Sequence, residues 1–365
     1  MFGRQRAKIS NMELWATMFI YLSSIAMTAP MGVAAENKSW LAIVIGIIFG
    51  LAITVIYAHL ADLNPGKSLI DIGGLLFGKW CGKTIGLLYG WFSLEVSSYI
   101  LKDNWQMTSI VALPRTPIIV IAAMCILFVI WITYGGIETI GRLSIIVIPL
   151  LLFYLLLAFI FLISDYNLNN LLPITEIEWR KVFYSAVQFS IHPLSNAVLF
   201  AMVFPSCNKR GQSKAPSLYA VAAAGLVILL SNIMYLLVLG PLASKLTYPG
   251  YTTYSYILVA DFIERAEVLF YTVFLTMNII GLSVTFYVGA VCLAEVFGIN
   301  NYRILLIPLG FLVIEWSTFI VKNHAEHITL IMFSWTWYAM IYQLVIPLAL
   351  LIFSFFRQRG YMCRT

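Results

Sequence analysis

The chain has 365 residues, of which 61% are hydrophobic and only 10% charged, with a mean hydropathy of +0.92 and a formal net charge of +6. A soluble domain carries about a quarter charged residues, so a water-soluble globule is excluded. The basic residues form no stripe with interleaved aromatics, which leaves no nucleic-acid footprint.

A hydrophobic run of about 20 residues spans a bilayer, and about ten such runs follow one another here. They cover 13–34, 40–63, 84–108, 116–134, 143–164, 181–204, 216–239, 268–297, 302–321 and 328–356. The first is long, interrupted and without a small-x-small cleavage site, so it reads as a span and not as a signal peptide. Its polar positions are Ser23, Ser24 and Thr28, interleaved with Ala26 and Met27 and followed by Pro30. The sixth run is broken in the same manner by Gln188-Phe189-Ser190-Ile191-His192-Pro193-Leu194-Ser195-Asn196. A proline removes one helical hydrogen bond, and the freed backbone groups must face protein or a cavity, not lipid. Paired broken helices at corresponding places point to a substrate site at the bilayer midplane. The expectation is an all-α polytopic membrane protein with about ten transmembrane helices in a 5+5 inverted repeat, helices 1 and 6 broken. It forms a single transmembrane domain over residues 1–365, with repeats at about 11–164 and 181–356.

Between the second and third runs, Asp62 to Lys67 reads as a turn, and Ser68 to Phe77 as a short amphipathic helix at the membrane interface. Between the seventh and eighth, Tyr248-Pro249-Gly250 reads as a turn and Tyr256 to Glu267 as an exposed amphipathic helix. Lysines and arginines such as Arg4, Arg6, Lys8, Lys67, Lys79, Lys83 and Arg142 gather on one side of the implied membrane, which places both termini in the cytoplasm. The five cysteines form no C-x-x-C pair and read as free thiols. His324-Ala325-Glu326-His327 offers too few ligands for a metal and reads as a solvated loop. Nothing in the chain supports catalysis, a cofactor or a metal.

Two loops carry a family resemblance. Tyr248-Pro249-Gly250 with Asp261-Phe262-Ile263-Glu264-Arg265-Ala266-Glu267 resembles the loop before the eighth helix in spore germinant-receptor B subunits. Asn64-Pro65-Gly66 with Leu76-Phe77-Gly78-Lys79 and Gly82 is similar to that family's loop between helices two and three. The resemblance implies the LeuT-like fold of the amino acid–polyamine–organocation superfamily and a place in the inner membrane of bacterial endospores. It also implies a larger membrane subunit and a lipoprotein subunit as partners, and a nutrient, commonly an amino acid, as ligand. Two departures are evident. The first break has Ser24 and Ala26 where the superfamily commonly has glycine, and Phe274 stands where tryptophan is expected after the Glu-Arg-x-Glu motif.

A zwitterionic ligand needs donors for its carboxylate and acceptors for its ammonium. Backbone N–H groups near Ser23, Ser24, Ala26, Met27 and Thr28 suit the first, and carbonyls near Phe189 to Leu194 the second. His192 is either a polar pocket wall or a partner for carbonyls freed by Pro193, and Gln188, Ser195 and Asn196 share that ambiguity. In the fold implied by the resemblance, helices three and eight complete the pocket with Ser97, Ser98 and Tyr99 and with Ser283 and Tyr287. Glu95 and Lys102 lie on one helical face and read as an intramembrane charge network. Glu315 lies on a peripheral helix, and residues 143–164 contain no lysine that would replace a coupling ion. The leading function is nutrient sensing; an amino-acid permease with the same pocket is the alternative.

Overall fold

The computed structural model describes residues 8–27, 31–172, 177–207, 213–257, 267–320 and 330–362. Helices dominate among them: α1 (Asn11–Met27), α2 (Ser39–Leu63), α3 (Leu69–Phe77), α4 (Lys79–Val111), α5 (Ile118–Tyr134) and α6 (Ile137–Phe161). They continue as α7 (Trp179–Ile191), α8 (Lys214–Leu239), α9 (Pro249–Ser255), α10 (Glu267–Phe297) and α11 (Leu306–Phe319). A last segment begins as a π-helix (Leu330–Trp335), and a second π stretch (Ile341–Val345) interrupts it before the terminal helix Ile346–Met362.

Among the described residues, six helical stretches are long and apolar enough to cross a membrane: Val33–Leu63, Ile137–Phe161, Lys214–Ser244, Glu267–Phe297, Tyr302–Phe319 and Thr336–Arg357. Together with α4, the shorter apolar α5, and α1 and α7, they account for the hydrophobic runs of the sequence. Large apolar side chains face outward on the periphery, among them Leu127 and Trp131 of α5, Phe153 and Leu156 of α6, and Phe311 of α11. A surface this apolar is the one a hydrocarbon solvent selects. The interior is correspondingly polar in places: Ser97, Asn104, Thr285 and Gln343 are fully buried. The chain is a multi-pass helical membrane protein.

Helix pairing repeats between the halves. α1 packs on α8 as α7 packs on α2, and α4 packs on α11 as α10 packs on α5. Exchanging the two halves leaves these pairings unchanged, as an inverted repeat requires. The central seam joins α4 and α10. Gly90 lies against Leu293, Gly289 against Leu94, and Thr108 accepts from the Tyr271 hydroxyl at 2.9 Å, so the two helices run antiparallel. Small residues let backbones approach where lipid offers no hydrophobic drive for helix association.

The same device seats α7 on α2. A Cβ on Gly46 would stand 2.6 Å from the Phe189 ring and 2.8 Å from the Ala186 carbonyl oxygen, and one on Gly50 would stand 2.7 Å from Leu194. α3 forms where the sequence places a short helix, and a capping box opens it. The Ser68 hydroxyl accepts from the Asp71 N–H at 3.2 Å, and the Asp71 carboxylate accepts from the Ser68 N–H at 3.1 Å.

Tyr248-Pro249-Gly250, read from the sequence as a turn, instead opens a helix. Pro249 occupies the first turn of α9, where its missing N–H costs nothing and its fixed φ is already helical. Residues 258–266 of the expected amphipathic helix from Tyr256 to Glu267, the histidine loop at 324–327, Thr28 and Pro30 lie outside the described residues; Tyr256 follows α9 as a turn, and Glu267 opens α10.

Gly46→Leu is expected to lower stability by about 1–3 kcal/mol, because Phe189 and the Ala186 carbonyl cannot both retreat. The check is a reduced melting temperature and a smaller monodisperse peak for the detergent-solubilised protein.

Candidate functional site

The break in the sixth span has a definite cause. α7 makes its last regular bond from the His192 N–H to the Gln188 carbonyl at 2.8 Å. Pro193 then has no N–H to give, its ring crowds the preceding turn, and the chain continues as a 3-10 helix over Leu194–Met202 with all nine residues buried. Nine residues is long for this helix type, whose hydrogen-bond geometry is poorer than that of the α-helix.

The backbone groups loosened here find named partners. The Asn196 side-chain amide donates to the His192 carbonyl, and its oxygen accepts from the Gln343 amide at 3.1 Å. Gln343 lies in the second π stretch, whose own carbonyls are also freed. The Tyr57 hydroxyl stands between the Gln343 and Ser195 carbonyls, 3.3 Å from the latter, and Tyr89 donates to the Tyr342 carbonyl at 2.6 Å. Side chains of α2, α4 and the last segment therefore hold the break open in one geometry.

A cleft with about 370 Å³ of non-atom space, open solvent included, adjoins this break. Ile25 of α1, Val96, Tyr99, Ile100 and Asp103 of α4, His192 and Asn196 of the break, and Trp335 line it. Trp335 meets the Tyr99 ring edge to face at 4.9 Å and stacks on Phe92 at 5.8 Å, which makes a firm aromatic wall. Asp103 is buried, and it, His192 and Asn196 are the hydrogen-bonding and ionisable residues beside Tyr99 in a lining whose open surface is mostly apolar. Burial and the Asp103 carboxylate push the Tyr248 hydroxyl far above the ordinary tyrosine range, so that hydroxyl stays neutral beside the site.

The residues singled out in the sequence divide into groups. Tyr99 and His192 share the cavity just described. Ser23 and Met27 line a different cavity, whose walls come from α1, α6 and α8. α1 runs unbroken through Ser23, Ser24 and Ala26 to Met27; the Ser24 hydroxyl donates to the Tyr21 carbonyl at 2.8 Å and packs against Gly281. Ser97 belongs to the α4–α10 seam, where its hydroxyl donates to Thr285 Oγ1 at 2.7 Å and that of Ser93 donates to the Thr285 carbonyl at 2.6 Å. Ser98 and Ser283 donate back to the Leu94 and Ile279 carbonyls of their own helices, at 3.0 and 2.8 Å. Gln188, Phe189 and Leu194 serve the α7–α2 packing and the helix end, and the Ser195 hydroxyl is buried without a hydrogen-bond partner among the described residues. Tyr287 meets Tyr302 edge to face at 5.3 Å, and neither Ser283 nor Tyr287 lines the cavity at the break.

Glu95 accepts a 2.5 Å hydrogen bond from Tyr338, and the Lys102 ammonium stands 5.6 Å from the Trp105 ring. Trp335 and Tyr338 were not among the sequence candidates. Their signal was an aromatic stripe, Trp335, Tyr338 and Tyr342, at helical spacing in the last span.

Fold and cavity together define a multi-pass membrane protein of LeuT-like, transporter architecture. Solved structures that share it include Mhp1, a nucleobase-cation-symport-1 family transporter, closed with bromovinylhydantoin bound (TM-score 0.59, 13% identity, 93% of this chain and 80% of that one), and MhsT in complex with L-phenylalanine (TM-score 0.57, 14% identity, 92% and 97%). The family model described as spore germination protein matches residues 8–327, and the chain belongs to that family. Among its relatives in Bacillus subtilis (strain 168), spore germination protein KB is 24% identical over 330 residues, covering 89% of this chain and 88% of the relative. Spore germination protein YndE is 21% identical over 374 residues, covering 97% and 98%. Spore germination protein A2 is 27% identical over 245 residues, covering 66% of each. Neither the family nor the structural neighbours are enzymes.

Gln343→Leu keeps the side-chain bulk but strips Asn196 of its amide donor. It is expected to destabilise the protein by about 1 kcal/mol, read as a lower thermal midpoint in detergent.

Proposed function

We propose that this chain is the nutrient-sensing membrane subunit of a spore germinant receptor, and that the nutrient is an amino acid seated in the cavity at the α7 break. The observation that carries this reading is the cavity's place and lining: Asp103, His192 and Asn196 stand among Val96, Ile100 and Trp335 beside the helix break. Asp103 suits an ammonium, the polar groups of the break suit a carboxylate, and the aromatic wall suits a side chain. Membership of the family supports the role in germination. The likeness to a transporter that holds L-phenylalanine supports a small zwitterion as ligand.

The ligand signals by binding one arrangement of the helices better than another, which shifts their populations. In this reading the repeats, about 11–164 and 181–356, move against each other around the fixed site. A larger membrane subunit and a lipoprotein subunit relay the change in the inner membrane of the endospore, with both termini facing the spore core. The transporter architecture favours one alternative, an amino-acid permease with the same pocket.

Val96→Trp fills the cavity and Asp103→Asn removes its anion. Each is expected to raise the nutrient concentration for half-maximal germination at least about tenfold, a loss of about 1.4 kcal/mol of binding, with membrane levels maintained. Dose–response curves of spores carrying each variant are the measurement; unaltered curves for both would remove the pocket assignment. Saturable uptake of labelled amino acid into vesicles holding this chain alone would select the permease.

A further inference from the structure

We propose a second small-molecule site, on the other side of α1, that takes an organic primary ammonium ion. The cavity there has about 710 Å³ of non-atom space, part of it open to solvent, and shares no lining residue with the cavity at the α7 break. Its walls are the end of α1, the middle of α6 and α8, the start of α9, and the 3-10 turn Val33–Lys38.

Charge selects the ligand's sign. Glu36 is the one charged residue among the described lining residues, and it is exposed where the cavity meets solvent. Lys181, a cation within the field of Glu36, is held by Glu178 at 2.8 Å. Glu36 also has φ 48°, in the left-handed region that a non-glycine residue seldom adopts.

Deeper in, the Ser23 hydroxyl is buried and has no hydrogen-bond partner among the described residues, although it lines the cavity. A buried hydroxyl normally finds a partner, so an unpaired one beside open space marks a place for a ligand atom. The Ser39 hydroxyl donates to Asn232 Oδ1 at 2.9 Å, and both side chains also line the cavity, so its polar groups are held in place.

The remaining lining decides between a metal ion and an organic cation. Met27, Met31, Leu151, Leu155, Ile228 and Met277 offer thioethers and hydrocarbon. Ser231, Tyr235 and Ser244 add hydroxyls, but Glu36 is the single carboxylate of the described lining, so the charged oxygens that a hard cation gathers are not there. A carboxylate and hydroxyls next to an apolar wall suit an ammonium head on a hydrocarbon body. Tyr235 and Phe270 also press on Gly250, where a Cβ would stand 2.8 Å from the tyrosine hydroxyl and 2.4 Å from the phenylalanine ring, so α9 is closely fitted to this wall.

The test is titration calorimetry on the full chain in lipid nanodiscs, with n-butylammonium chloride as the probe. The expected result is saturable binding, at least tenfold weaker binding of n-butanol, and no displacement by KCl. Glu36→Gln, at an exposed position that leaves the fold undisturbed, is expected to weaken n-butylammonium at least tenfold, and Ser23→Leu to abolish it. Val96→Trp, which fills the other cavity, is expected to leave the affinity unchanged. Absence of binding, equal affinity for n-butanol, displacement by KCl, an unaltered Glu36→Gln variant, or loss of binding in Val96→Trp would each overturn the proposal.

Discussion

Inside a bilayer no water is at hand to satisfy a loosened peptide group, and each one left bare costs several kcal/mol, on the order of the stability of a small domain. Pro193 loosens such groups in the middle of a buried span. Asn196 answers the His192 carbonyl, Gln343 answers Asn196, and Tyr57 sits between the carbonyls of Ser195 and Gln343. The last span winds as a π-helix at this level and offers its own spare carbonyls to Tyr57 and Tyr89. One interrupted helix thus recruits α2, α4 and the last segment, and the cavity lined by Tyr99, His192 and Trp335 sits beside that assembly.

Close approach does the rest. Hydrocarbon chains outside are as apolar as leucine, so helices gain little from hiding leucine against leucine. The interior is joined instead where side chains are small or hydroxylated: Gly46 and Gly50 under α7, Gly90 and Gly289 across the α4–α10 seam, and Ser93 and Ser97 on Thr285. The bulky side chains of α5, α6 and α11 turn outward to lipid. Apolar bulk fills the interior as well, with Phe92, Phe274 and Phe286 fully buried, so the fold is apolar both in its core and on its lipid-facing surface.

Much of the architecture was legible in the sequence because hydrocarbon imposes a length and a polarity on every span. The runs, the Pro193 break and the helix capped by Ser68 follow from local rules. The site was legible only in part. His192 and Tyr99 carried polar or aromatic chemistry at a break or beside one, and they meet in a cavity. Ser98 and Ser283 spend their hydroxyls on the carbonyl one turn back and line neither cavity, an arrangement that spacing alone does not reveal. Trp335 belongs to a helically spaced aromatic stripe that reads equally as packing, whereas Gln343 sits in a π-helical winding that has no periodicity signature in so short a stretch. That α1 would have one cavity on each side depends on which helices surround it, a long-range fact absent from any local motif.

The 3-10 leg after Pro193 is a length of chain stored at a different pitch. Nine residues at about 2.0 Å of rise span about 18 Å, whereas the same residues wound as an α-helix span about 13.5 Å. Rewinding it would draw Cys207 toward His192 by about 4–5 Å without breaking the chain's contour. The far end of this leg is tied to the start of the chain by the Ile9 N–H, which donates to the Ser206 carbonyl at 3.0 Å. A change of winding beside the cavity would therefore act as a telescoping rod, with its pull delivered to the foot of α1.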